Sequence, residues 1–136
     1  MKVLVLMDTN ALLMMMERTG LFECIEESLE TKPIYACTES VVKELEEIKR
    51  RGGPLSWKAS LALEKIVPAC RILSRKASNT DDDIVENAIE ARDEGYHVIV
   101  ATSDRDLRKK LRKHGIPTAY YRESQRRFEL DYKPLL

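Results

Sequence analysis

The sequence predicts an α/β fold with a parallel central sheet, and three observations carry that expectation. Short runs rich in Val and Ile recur along the chain, longer segments of helical period lie between them, and glycines stand at the joints. The first run, 3–6, opens strand one and is too short an apolar stretch for a signal peptide or a membrane span. Helical segments are expected at 11–19 and 21–29, broken at Gly20, and a second strand at 34–37. A helix over 39–50 carries its apolar stripe on Val41, Leu45 and Ile48, and Gly52-Gly53-Pro54 ends it. Trp57 opens the next helix, 57–66, where the only tryptophan is expected to anchor the helix to the core. A strand at 70–73 follows, then a helix at 82–94 facing the core through Ile84, Val85, Ala88 and Ile89. Gly95 leads into the strand 98–101, the helix 105–114 ends at Gly115, and the last strand is 118–121.

A chain of 136 residues fits one compact domain, and no repeat, low-complexity tract or linker divides 1–136. The 23 basic and 23 acidic residues cancel, so net charge alone names no partner. Their distribution says more. Between residues 105 and 127, the basic residues Arg105, Arg108, Lys109, Lys110, Arg112, Lys113, Arg122, Arg126 and Arg127 face only Asp106 and Glu123. Glu23, Glu26, Glu27 and Glu30, and the run Asp81, Asp82, Asp83 and Glu86, concentrate acid elsewhere.

Cys24, Cys37 and Cys70 are widely spaced, with no Cys-x-x-Cys motif, and are expected to be small buried hydrophobes. Met14, Met15 and Met16 are expected to pack in the core or against a second copy of the chain. His97 and His114 are expected at surface or capping positions. Tyr120 and Tyr121 are adjacent on a strand, so one faces the core and the other is available to stack on a base. The protein is expected to be soluble and cytoplasmic.

Carboxylates remain to carry chemistry. Asp8 follows strand one, and ligands bind at the carboxyl ends of strands in an open α/β sheet; capping of the next helix by Asp8 or Asn10 is the simpler role. Glu44 borders the apolar stripe of its helix, where a carboxylate at the burial margin needs a partner, and a bound cation is one. Glu46 and Glu47 point roughly opposite. Asp81, Asp82 and Asp83 suit a first helical turn, yet three in succession repel one another, so at least one is expected to have another task. Asp104 and Asp106 again follow a strand, and Ser103 or Asp104 could serve as an N-cap. Two strand ends, one helix margin and one helix start that all present acid are expected to share a site. Hard oxygen ligands of this kind suit Mg²⁺ or Mn²⁺ rather than zinc.

These motifs together resemble a known family. Asp8 after the first strand, Glu44 in Glu39-Ser-Val-Val-Lys-Glu44-Leu, Asp81 in Thr80-Asp-Asp-Asp-Ile84-Val and Asp104 in Ala101-Thr-Ser-Asp104-Arg-Asp106-Leu look like the successive acidic motifs of PIN-domain nucleases. The segment Val-Ala-Thr-Ser-Asp-Arg-Asp-Leu, with Gly-Ile-Pro further on, is similar to the PIN proteins of ribosomal RNA processing and their archaeal relatives. The resemblance implies a three-layer α/β/α sandwich and cleavage of single-stranded or structured RNA with one or two divalent ions. It implies catalytic acids at Asp8, Glu44, Asp81 and Asp104, with Asp82 and Asp106 as further metal ligands. Asn10, Thr102 and Ser103 would position water, and Arg105, Arg108, Lys109, Arg112 and Lys113 would bind RNA. Partners would be RNA, a second copy of the chain, and a pre-ribosomal particle or protein regulator, with no membrane. A PIN-domain toxin and a non-catalytic scaffold binding RNA or protein are the alternatives; a Toprim-like site lacks its glutamate after the first strand, and Asp8-Thr-Asn10 lacks a phosphatase's second aspartate.

Overall fold

A computed structural model describes residues 2–18 and 20–131. Its six strands form one sheet in the order β3-β2-β1-β4-β5-β6. Five of these strands match the expected ones: β1 (Val3–Met7), β2 (Ile34–Thr38), β3 (Arg71–Leu73), β4 (His97–Ala101) and β5 (Thr118–Arg122). They run parallel, with Met7 beside Ala101 and Ala101 beside Ala119. Helices α1 (Thr9–Glu17), α2 (Leu21–Leu29), α3 (Glu39–Arg51), α4 (Ser56–Leu61), α5 (Thr80–Asp93) and α6 (Arg105–Lys113) supply the crossovers and give a three-layer α/β/α arrangement. The expected extension of the first helix to Thr19 lies outside the described residues. No described helix is long and apolar enough to cross a membrane.

The central strands β1 and β4 are buried along nearly their whole length, which is why they read as continuous apolar runs rather than alternating ones. Leu12 of α1, Leu45 of α3, Ile84 of α5, and Leu107 and Leu111 of α6 close the core. Each fully buried side chain of this size contributes about 1.5–3 kcal/mol. Helices α5 and α6 end alike: Tyr96 N–H reaches back to Ala91 O at 3.1 Å, and Ile116 N–H to Leu111 O at 3.0 Å. That closure needs a left-handed residue between, and Gly95 (φ 104°) and Gly115 (φ 70°) provide it.

Three expectations are corrected. The sheet has a sixth strand, β6 (Arg127–Asp131), antiparallel to β5 with Arg127 opposite Arg122. Only Phe128 and Leu130 alternate with charge there, too little pattern to register in the sequence, and pairing with β5 supplies the order. Trp57 does not anchor its helix; it is 52% exposed, with the Lys58 ammonium 5.7 Å from its ring centre. The helix it opens is also not uniform. After Leu61 it widens into a π-helical turn, Ala62–Ile66, closed by Val67 N–H on Ala62 O, and then tightens to 3-10 geometry at Val67–Ala69. Pro68 lacks the N–H that would continue the helix there.

The remaining small expectations hold in part. Cys37 is buried, while Cys24 and Cys70 are partly buried, and all three are free thiols. Met15 is in the core, and Met14 and Met16 pack at its margin.

Candidate active site

The strand order reverses beside β1: the chain moves outward through β2 and β3, then returns to place β4 on the other side. A crevice is expected at the carboxyl ends of two strands that diverge in this way. Asp8 and the segment 102–104 both lie there. Asp8 N–H donates to Ala101 O at 3.0 Å, so the pairing of β1 with β4 continues one residue into the site. The Asp8 carboxylate accepts from Thr9 N–H at 2.7 Å through Oδ1 and from the Thr102 hydroxyl at 2.9 Å through Oδ2. The same Thr102 oxygen accepts from Asp104 N–H at 3.1 Å. One fully buried hydroxyl thus stitches the two acidic strand ends together.

Asp8 is only 7% exposed. Burial pushes its carboxyl up to about 6, the two hydrogen bonds oppose that rise, and the negative charges of Asp81 and Glu44 add to it. Asp81, in the first turn of α5, is also raised, first by burial and then by Asp104, with Glu44 and Asp82 contributing and Lys110 opposing. These mutual effects place Asp8, Glu44, Asp81 and Asp104 in one electrostatic neighbourhood. Glu44 is held by two hydroxyls: Thr9 donates to Oε1, and Thr80 donates to Oε2 at 3.0 Å. Asp104 caps α6, its Oδ1 accepting from Asp106 N–H at 2.9 Å and Leu107 N–H at 3.1 Å.

The four acids do not close on a common point. Among the described residues no group of three or more His, Cys, Asp and Glu side chains is set at metal-holding distance. Like charges repel, and Asp8, Glu44 and Asp104 lean on hydroxyl or backbone donors instead. The donor chemistry nevertheless fits a hard divalent cation: the oxygens are carboxylate, and the buried Asp8 has acids as its charged neighbours, with no cationic side chain bonded to it among the described residues.

The family follows from comparison with known proteins. A profile described as a PIN-like domain matches residues 5–124. The chain belongs to the PIN-like domain family. Among solved structures, the PIN domain endonuclease Utp24 superposes with a TM-score of 0.69 at 26% identity, over 96% of each chain. A domain of a functionally unknown protein from Methanocaldococcus jannaschii superposes with a TM-score of 0.65 at 19% identity, over 98% of this chain and 99% of that one, a likeness of fold. No curated protein sequence matches.

In this PIN-like domain the three consecutive aspartates have separate fates. Asp81 faces the other acids. Asp82 turns to α6, meeting the Lys110 ammonium at 3.2 Å, and it accepts from Asn79 Nδ2 at 2.8 Å. Asn79 and Lys110 hold its carboxyl below the usual range. Asp83 is fully buried and joins three segments: it accepts from the Ser40 hydroxyl at 2.7 Å, Lys76 N–H at 2.6 Å and Asn87 Nδ2 at 3.1 Å. Asp106 is exposed in the first turn of α6, on the side of Lys110.

Of the residues expected to position water, Asn10 and Ser103 are exposed, and Ser103 Oγ accepts from Tyr121 N–H at 3.4 Å. Thr102 differs: it is wholly buried and its hydroxyl hydrogen goes to Asp8, so it orients the carboxylate. On α6, Arg105, Lys109, Arg112 and Lys113 are exposed opposite buried Leu107 and Leu111. Arg108 instead lays its guanidinium over the Tyr120 ring at 3.9 Å, which covers one face of the ring expected to stack on a base. Tyr121 is buried.

Sequence reasoning missed Thr9, Thr80, Ser40 and Lys110. A signal was present in three of the four acidic motifs, which carry a hydroxyl neighbour: Thr9 after Asp8, Thr80 before Asp81, and Thr102 and Ser103 before Asp104.

Proposed function

We infer that this chain is a nuclease, and propose that it is a divalent-metal-dependent endoribonuclease acting on single-stranded or structured RNA. The observation that carries the reading is the buried Asp8 carboxylate at the switch point, tied through Thr102 to Asp104, with Glu44 and Asp81 as the nearest charges. Asp8, Asp104, Glu44 and Asp81 would hold one or two Mg²⁺ or Mn²⁺ ions, and Asp106 or Asp82 would assist a second; Asp82 would first have to leave Lys110. Such an ion, when bound, acidifies a water and neutralises charge on the phosphoryl oxygens.

The protein's own groups do the rest. Thr102 holds the Asp8 carboxylate in one orientation, Thr9 and Thr80 aim Glu44, and Asn10 and Ser103 present polar groups where water and substrate arrive. Arg105, Arg108, Lys109, Arg112 and Lys113 supply a positive helix directly after Asp104, balancing the repulsion that the acids exert on phosphates. Likeness to the Utp24 endonuclease favours endonucleolytic cleavage. The motif sequence, similar to that of PIN proteins of ribosomal RNA processing, favours a ribosomal RNA precursor as substrate and a pre-ribosomal particle as partner. We add a second copy of the chain as a partner and the cytoplasm as the place of action.

The purified protein is expected to cut a single-stranded RNA with Mg²⁺ or Mn²⁺ and to stop when chelator is added. RNA crosslinked in the native cell, once sequenced, should be enriched in ribosomal precursors; enrichment in transfer or messenger RNA would favour a PIN-domain toxin. A folded protein that binds RNA and never cuts it would make the domain a scaffold.

Binding should also weaken with salt. For single strands the slope of log affinity against log salt is roughly 0.7 per phosphate neutralised. Replacing Lys109, Arg112 and Lys113 by Ala is expected to flatten it by about 2. An unchanged slope in a filter-binding titration would make these residues a solvated helix face only.

A further inference from the structure

The hairpin of β5 and β6 stands beside the acidic site and rises past it. Thr102 N–H donates to Ala119 O at 2.9 Å, so β4 reaches its acidic end level with Ala119. Strand β5 continues through Tyr120 and Tyr121 to Arg122 before the chain turns and β6 returns from Arg127. Three residues at about 3.3 Å each carry the turn roughly 10 Å beyond the level of Thr102. The hairpin is the strand pair next to β4, so the turn overlooks the Asp8–Asp104 crevice from one strand away.

That turn is basic. Arg122, Arg126 and Arg127 are exposed, and Arg126 is held with φ at +52°, an uncommon state for a residue with a side chain. Glu123 is in the turn, and Glu129 is already engaged, accepting from the Tyr120 hydroxyl at 3.0 Å and pairing with Arg122 at 3.1 Å. The Arg108 guanidinium on the Tyr120 ring ties β5 to α6. Basic side chains therefore stand on both sides of Tyr120, Arg108 on the helix behind Asp104 and Arg122 toward the turn, with Glu129 countering Arg122 and leaving Arg126 and Arg127 beyond it.

We propose that the β5–β6 turn is a second phosphate-binding element, in which Arg126 and Arg127 hold the single-stranded RNA backbone a short distance outside the cleavage point. This rests on the nuclease reading for its substrate. It adds that the enzyme grips more RNA than the bond it cuts, so affinity for long strands and chemistry on short ones are separable. The competing role for charge at an edge strand is to block pairing with another sheet.

The test uses Arg126→Ala/Arg127→Ala, with Arg126→Glu/Arg127→Glu beside it. Affinity for a long single-stranded RNA is read by fluorescence anisotropy in chelator and again with Ca²⁺. Cleavage of a long RNA and of a trinucleotide is read in Mn²⁺. The alanine variant is expected to bind long RNA about tenfold more weakly, with a salt slope smaller by roughly 1.4 for two phosphates, and the glutamate variant more weakly still. KM for long RNA should rise, with kcat and trinucleotide cleavage unchanged. Equal affinity and slope in both variants would overturn the proposal and leave the arginines as edge guards. Equal loss on long and short substrates, with altered circular dichroism, would overturn it in favour of a structural role. Hairpin-dependent binding by a wild type that never cleaves would sink the nuclease reading and leave the RNA-binding turn standing; a wild type that binds no RNA would sink both.

Discussion

Asp8→Asn and Asp104→Asn are each expected to remove RNA cleavage, by at least about 10²–10³-fold, the scale of losing one fixed electrostatic stabiliser from an active site. Asparagine keeps the volume and one accepting oxygen but not the charge that would hold a cation. For Asp8 the metal-free protein should at the same time become more stable at neutral pH. Burial raises its carboxyl from 3.8 to about 6, so between those pH values the folded state binds more protons than the unfolded one. Stability attributable to this group therefore falls as pH rises through about 4 to 6, and the cost at neutral pH is about 3 kcal/mol. Asparagine abolishes that cost, but either Thr9 N–H or the Thr102 hydroxyl loses an accepting oxygen, worth about 1 kcal/mol. A net gain of about 1–2 kcal/mol, or a few °C in Tm, is expected in chelator at pH 7.5. At pH 4, where the wild-type carboxyl is largely protonated, the gain should vanish. The decisive pairing is activity in Mn²⁺ beside Tm in chelator at both pH values. Cleavage that survives in both variants would place the chemistry elsewhere, and an Asp8→Asn protein less stable than wild type at pH 7.5 would show that the hydrogen bonds outweigh the buried charge.

Asp83→Ala is expected to cost the most stability of any single acidic substitution, about 2–4 kcal/mol from a total that is typically about 5–15. The carboxylate is the common acceptor for a hydroxyl on α3, a backbone N–H in the segment before α5 and an amide on α5. Removing it takes the acceptor from the Ser40 hydroxyl and the Lys76 N–H, at about 1–3 kcal/mol each, while Asn87 Nδ2 keeps Ser74 O and the Asp83 backbone O. Asp83→Asn should lose far less, because Oδ1 still accepts and the Ser40 hydroxyl can rotate to accept from the new amide. Glu44 lies one turn after Ser40 on α3, and Thr80 nearly one turn before Asp83 on α5, so the Ser40–Asp83 and Thr80–Glu44 bonds are two rungs between the same helices. Loss of the first rung should loosen the second, lowering activity as well as stability. Urea unfolding of wild type, alanine and asparagine variants checks this; an alanine variant within about 1 kcal/mol of wild type would show that solvent reaches the site and satisfies the donors.

The chain order of elements and the positions of the acids could be read from the sequence because both are local. An apolar run announces a buried strand, a 3.6-residue period announces a helix, and an aspartate directly after a strand falls at its carboxyl end whatever packs around it. Asp8 and Asp104 were accessible in this way, and so was the family through the spacing of Glu44 and Asp81 between them. What the three consecutive aspartates do was not local. Asp81, Asp82 and Asp83 suit a helix start equally well, and only the docking of α5 between α3 and α6 turns one toward the acids, one toward Lys110 and one into the interior. The same holds for Trp57, whose size argues for burial but whose helix leaves it at the surface, and for β6, whose order comes from its partner strand. Periodicity fixes which residues share a face; which face meets which neighbour is decided by packing of whole elements, where burial and hydrogen-bond satisfaction are settled together.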